Sequence, residues 1–126
     1  MALETPLLDL AYAANADLSA LQYHIVKIVS ANTCGTTSAT TDTPVGVLQN
    51  KPASGQGASV RIFGVTKCVA GAAVGAGSLV VTTAAARGST VTSGVTTSYA
   101  LGLSTDAAAA DGEVFSLLLL HAGRGA

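Results

Sequence analysis

The chain has 126 residues, a formal charge of −1 at pH 7 and 10% charged residues, against about 25% in an average soluble domain. This balance argues against a protein that binds nucleic acid through a basic face. The 49% share of apolar residues excludes an intrinsically disordered chain, and the length is that of one domain.

Small residues dominate the composition, since Ala, Gly, Ser and Thr fill just over half of the chain and Trp is absent. Buried alanine removes little apolar area from water, so the chain can build only a thin core. We therefore expect further burial against a partner, either copies of the same chain or something larger. The low share of charged residues agrees with this expectation.

The N-terminus carries Glu4 and no basic residue, which is unlike a signal peptide. The longest weakly polar stretch, residues 68–81, is short and rich in Gly, so it cannot span a bilayer. We expect a soluble protein made in a cytoplasm, without a membrane partner.

Residues 1–21 have scattered apolar positions and no clear period. A short helix over residues 17–21, with Asp17 as its N-cap, is the alternative. An extended N-terminal arm that is ordered only against a partner fits the stretch better, and we predict that arm for residues 1–21.

Residues 22–121 are predicted to form one β-domain of short strands rich in β-branched residues and bounded by Gly, Pro, Ser and Asn. A turn at residues 51–57 joins the second and third strands into a hairpin. The predicted strands are residues 23–29, 44–49, 58–66, 78–83, 95–103 and 113–120.

The connections between these strands are polar or made of small residues: a Thr-rich loop at 32–42, a loop or exposed tip at 84–94 and an Ala-rich turn at 105–112. Residues 122–126 are predicted to be a flexible tail. Six to seven short strands without a long amphipathic helix indicate the all-β class, as a small barrel or sandwich.

No pattern of titratable residues predicts a catalytic or metal site. His24 and His121 do not stand at ligand spacing from other ligand types. Cys34 and Cys68 are interpreted as two free thiols, because a disulfide is disfavoured in a cytoplasm and neither has a neighbour that would activate it.

The Gly-rich stretch at residues 71–78 lacks the Lys and the following helix of a phosphate-binding loop. Asp106, Asp111 and Glu113 lie in a turn and are interpreted as solvated acids rather than a catalytic pair. The sequence therefore predicts no enzymatic activity, no metal and no cofactor.

Lys27 and Arg61 stand in the middle of predicted strands among apolar neighbours. They could mark the outward face of the sheet, protect an edge against unwanted pairing or meet an acid of a neighbouring copy. The sequence context does not separate these three interpretations.

Several stretches resemble the small capsid decoration (cement) proteins of tailed bacteriophages. The most specific are TPVGVLQNKPA at residues 43–53 and ASVRIFGVTK at 58–67. ADLSALQY at 16–23, VAGAAV at 69–74 and LGL at 101–103 with the adjoining Ala-rich turn agree with them. The resemblance extends over about residues 3–120 and is weakest at 84–98.

This resemblance implies a structural role on the outer capsid surface of the virion, after assembly in the host cytoplasm. Such proteins commonly bind as homotrimers at threefold positions and clamp neighbouring major capsid subunits against the pressure of packaged DNA. It implies no catalysis, no cofactor and no direct contact with nucleic acid.

On this basis we predict that the N-terminal arm lies along the capsid and adds a strand to a sheet edge, with pockets for its apolar side chains. Several arms per assembly would bind together through effective concentration. Deleting residues 2–12 is then expected to abolish capsid binding and to leave the β-domain folded. The predicted contact residues are Leu3, Pro6, Leu7, Leu8, Leu10 and Tyr12.

Two other classes of function stay open at this point. A head fibre base or a tail-associated structural protein would share the all-β, Thr-rich style. A small-ligand-binding β-barrel would need more aromatic residues to line its pocket, and an enzyme is disfavoured by the missing motifs.

Overall fold

The computed structural model describes residues 2–91 and 97–124. Within these residues the chain forms nine strands and no helix, which confirms the all-β class with more strands than the six to seven predicted. The strands are β1 Thr5–Ala14, β2 Ile25–Ser30, β3 Thr33–Thr36, β4 Gly46–Leu48, β5 Gly57–Val69, β6 Leu79–Thr82, β7 Gly88–Thr90, β8 Tyr99–Ser104 and β9 Val114–Arg124.

All nine strands belong to one mixed sheet in the order β1-β3-β2-β4-β5-β9-β8-β6-β7. A further pairing between β1 and β5 closes a ring of the five strands β1, β3, β2, β4 and β5. Strands β1 and β3 pair in parallel, whereas the other strand pairs are antiparallel. The N-terminal strand is therefore the element that completes the ring.

The first strand corrects the prediction of an arm that is ordered only against a partner. It is extended, as predicted, but it pairs with β5 of the same chain from Thr5↔Val65 to Ala13↔Gly57. Two register shifts interrupt this ladder on either side of Leu8. Because such irregularities break the two-residue alternation of a strand, the sequence showed no clear period here.

Short strands of small residues explain the higher strand count. Strand β3 lies inside the predicted Thr-rich loop, and β7 lies inside the predicted tip at residues 84–94. Strand β9 continues through Ala122 to Arg124, where the tail was predicted, because Gly123 and Arg124 pair with β8. The parts of these predictions at residues 92–94, 95–96 and 125–126 lie outside the described residues.

The predicted hairpin of the second and third strands is confirmed by β4 and β5, which pair antiparallel through Val47↔Arg61 and Leu48↔Val60. Strand β5 is longer than predicted and is the common neighbour of β1, β4 and β9. This central position makes β5 the element on which the surface features described below depend.

The core consists of two clusters of buried apolar residues. The ring cluster fills the ring and consists of Ala14, Leu18, Val26, Cys34, Leu48, Ala58, Val60 and Ile62. The sheet cluster contains the buried Phe115 and consists of Ile25, Val47, Cys68, Ala70, Val74, Val80, Leu101, Ala108, Phe115, Leu117 and Leu119. The ring cluster contains no aromatic side chain, in agreement with a thin core.

Candidate functional site

The N-terminal segment presents a row of exposed apolar side chains. The exposed fractions are 59% for Leu3, 77% for Leu7, 40% for Leu8 and 39% for Leu10; we call these four residues the N-terminal leucines. Pro6 is exposed as well. Exposed leucines this close together are unusual on the surface of a free monomer and are typical of a contact surface.

Tyr12 differs from the other predicted contact residues because it is half-buried and packs against the ring cluster. Its side chain therefore contributes to the core of the ring. Deleting residues 2–12 would remove most of a ring strand, so this deletion would not leave the rest of the fold intact as the sequence suggested.

Strand β1 has an edge that points away from β5. Strand β3 pairs with β1 only at Ala13 and Ala14, so over residues 5–12 no other strand of the described chain pairs with that edge. An unpaired edge offers backbone N–H and C=O groups to another chain. The N-terminal leucines and the free edge of β1 therefore belong to one element.

Both mid-strand cations have partners within the chain. Lys27 Nζ lies 2.9 Å from Asp42 Oδ2, and Arg61 is paired with Asp9 of β1. The Asp42 carboxylate also accepts hydrogen bonds from the backbone N–H groups of Ser38 and Ala39. Together with the Lys27 ammonium these bonds lower the pKa of Asp42 to about 2.

The close approach of β1 to β5 depends on Gly64. This residue has φ +109°, and a Cβ atom there would lie 2.3 Å from the carbonyl oxygen of Thr5 and 2.8 Å from the backbone nitrogen of Leu7. A side chain at this position would therefore separate the start of β1 from β5.

An open cavity of about 460 Å³ lies beside the same segment of β5. We call it the seam cavity. Its lining residues are Ile28, Thr43, Pro44, Val45, Ile62, Phe63 and His121.

The position of the seam cavity follows from how β5 is paired. Arg61 pairs with β1 and with β4, so these two strands lie on opposite edges of β5. Gly64 pairs with β1 and with β9, which places β9 on the same edge as β4. Among the described strands, none covers that edge at Ile62 and Phe63, and the cavity lies at this seam.

His121 completes the seam with its side chain. Its Nε2 lies 2.8 Å from the carbonyl oxygen of Ile62, which can only accept, so Nε2 carries the proton. Nδ1 is hydrogen-bonded to the Tyr99 hydroxyl at 3.1 Å. The imidazole also packs edge-on against Phe63, with 5.3 Å between ring centroids.

Sequence reasoning did not find the seam cavity, because it considered His121 only as a possible metal ligand. The hydrogen bond from His121 to Ile62 joins residues 59 positions apart. No local pattern reports such a contact. One available signal was Phe63, an aromatic residue two positions after the charged Arg61 in the alternating strand.

The remaining candidate residues, His24 and the two cysteines, are buried in the fold. His24 is 6% exposed, and burial is the main cause that lowers its pKa. Cys34 and Cys68 are free thiols, and both are completely buried. The described residues hold no group of three His, Cys, Asp or Glu side chains placed to bind a metal.

All three turn acids have partners, and Glu113 accepts a hydrogen bond from the Ala110 backbone N–H at 2.8 Å. Asp106 accepts a hydrogen bond from the Ser116 backbone N–H at 2.6 Å, and Asp111 lies 2.7 Å from Arg87.

In the described part of the chain, no helix has the length and apolar character needed to cross a membrane.

A family model described as phage cement protein matches residues 4–119 of this chain. The structure is similar to a solved structure described as the head fibre gp8.5 N base of bacteriophage phi29, with a TM-score of 0.69 and 13% sequence identity. That match covers 94% of this chain and 98% of the other, and at this identity it shows a shared fold. Among curated proteins, none matches the sequence.

Proposed function

Because this chain belongs to the phage cement protein family, a family of non-enzymatic structural proteins of the phage capsid, we propose that it binds the outer surface of the expanded head and stabilises the shell against the pressure of packaged DNA. The family match over residues 4–119 is the observation that carries this proposal. The exposed N-terminal leucines and the free edge of β1 give it a physical basis.

The proposed contact with the major capsid protein uses β1 as it stands in the fold. A capsid segment adds to the free edge of residues 5–12 through backbone hydrogen bonds, and the N-terminal leucines enter apolar pockets that fix its register. Three such contacts in a homotrimer would act together through effective concentration. A threefold ring also needs two different contact patches on each copy.

The clamping role follows from this arrangement. A trimer whose copies each hold a different capsid subunit resists the separation of those subunits, because separation would break several contacts at once.

The experiment that tests the proposal is co-sedimentation of the purified protein with expanded heads that lack it. The variant Leu7→Lys places a charge at the most exposed of the N-terminal leucines, and we expect a loss of affinity of about tenfold or more. Leu79→Lys is the matched control, because Leu79 is 40% exposed and lies in β6, outside the ring. Equal binding of the two variants would contradict the role of β1.

A head fibre base is the second candidate, and the fold shared with the phi29 head fibre base favours it. The two functions differ in the number of copies on a particle. A decoration protein is present at about one copy per capsid subunit, whereas a fibre base occupies only the positions that carry fibres.

A further inference from the structure

We propose that the seam cavity is a second docking point for the major capsid protein and receives apolar side chains of that protein beside the contact made by β1. The inference rests on the proposed function and assigns a second contact to it.

The wall of the cavity is held in place before any partner arrives. On the edge of β5 that faces β4 and β9, no described strand pairs with Ile62, and the carbonyl group of Ile62 accepts a hydrogen bond from the His121 side chain instead. The same imidazole packs against Phe63. Phe63 is thereby fixed at the rim, where 45% of the residue is exposed, so little side-chain entropy is lost when a partner covers it.

The chemistry of the lining indicates an apolar occupant. Five of the seven lining residues are aliphatic, aromatic or proline, and no Asp, Glu, Lys or Arg is among them. The two polar groups of His121 already have partners in the fold. A charged group that entered would lose its hydration without gaining a counter-charge, whereas an aliphatic or aromatic side chain would bury apolar area on both sides.

The cavity adjoins the proposed capsid contact. Phe63 lies directly opposite Leu8 in the ladder of β1 and β5, and directly opposite residues in an antiparallel pair share a face. Apolar surface is therefore continuous from the N-terminal leucines to the cavity. Strands β1 and β5 lie between the free edge of β1 and the cavity, a width of about 10 Å, so one capsid subunit can contact both through this continuous surface.

The area of the contact supports the same occupant. Strand β1 supplies ten residues, whereas each side of a specific interface takes about 20–30 residues. A specific interface takes about 800 Å² from each partner. The neighbouring surface has to supply the difference, and the seam cavity is an apolar surface next to β1.

The test compares two charged variants on the same strand. Ile28 lines the cavity and is 45% exposed, whereas Val29 is 41% exposed and is not a lining residue. We expect Ile28→Lys to weaken binding to expanded heads by about tenfold and Val29→Lys to leave it nearly unchanged. A second variant, Thr43→Trp, fills the cavity from an exposed rim position and is expected to weaken binding without removing a core side chain.

The outcomes separate this inference from the proposed function. Wild-type binding together with full binding of Ile28→Lys and Thr43→Trp would overturn the inference and leave the proposed function standing. A wild-type protein that does not bind heads would overturn both. If Ile28→Lys changed the oligomeric state of the free protein while head binding persisted, the occupant would be a second copy, and the inference would be wrong.

Discussion

Asp9 and Arg61 lie directly opposite each other in strands β1 and β5 and form a two-point ion pair. The distances are 2.9 Å from Arg61 Nε to Asp9 Oδ1 and 3.2 Å from the second guanidinium nitrogen to Oδ2. A third guanidinium nitrogen donates to the carbonyl oxygen of Val65 at 3.1 Å. Because the Arg61 side chain is only 7% exposed, this pair holds β1 in one register on β5.

Removing one partner of this pair is expected to destabilise the fold. Asp9→Ala leaves the buried Arg61 guanidinium without its counter-charge, and we expect a loss of roughly 1–3 kcal/mol in the free energy of unfolding, since Asp9 itself is partly exposed. Urea denaturation measures this loss. The double variant Asp9→Ala/Arg61→Met is expected to recover part of it; a single variant as stable as the wild type would show that the pair does not hold β1.

Gly64→Ala is expected to release the beginning of β1. The new methyl group would meet the Thr5 carbonyl oxygen in a backbone conformation that side chains disfavour, at a cost of about 1–3 kcal/mol. Hydrogen exchange should become faster at residues 5–8 and stay unchanged at the β8–β9 pairing. Gly55→Ala is the control, because its φ is also positive, at +80°, but a Cβ there meets no atom within 4 Å.

We expect His24 to lower the free energy of unfolding as the pH falls below the pKa that this residue has in the unfolded chain. Burial holds the pKa of His24 below the ordinary 6.5, so below pH 6.5 the unfolded chain takes up a proton that the native protein does not. The urea midpoint should therefore decrease between pH 7.5 and pH 5.5. In His24→Gln this decrease should be smaller, and an identical decrease in both proteins would show that other groups cause it.

Cys68 is expected to be inert in the native protein. Burial raises its pKa to about 12, and burial raises the pKa of Cys34 as well. A thiol reagent at pH 8 should modify neither residue in buffer and both in urea, since the thiolate is the reactive form. Rapid modification of the native protein would indicate that the ring or the sheet opens far more readily than the packing implies.

The sequence predicted the elements whose signal is local. The β4–β5 hairpin, which the pairing confirms, could be predicted because the turn at residues 51–57 joins two segments of strand-forming residues. The β1–β5 pairing could not be predicted, since it joins residues such as Thr5 and Val65 that lie far apart in sequence. Strands β3 and β7 could not be predicted either, because they consist of small residues and carry almost no hydrophobic pattern.

In the candidate site, too, the sequence predicted the features with a local signal and missed those that depend on distant residues. Five of the six residues chosen for capsid contact are exposed, and Tyr12 is the exception because it packs on the ring cluster. Their exposure does not test the contact itself, which stays a prediction. Predicting the seam cavity would have required the positions of three strands and of His121, and no single stretch of sequence contains that information.

The proposed role on the capsid is tested most directly by counting copies on the particle. Virions of the source phage would be banded on a density gradient, and an antibody to the purified protein would give its ratio to the major capsid protein. We predict about one copy per capsid subunit. A few copies per particle would assign the protein to fibre or tail positions, and its absence from intact virions would contradict the decoration role.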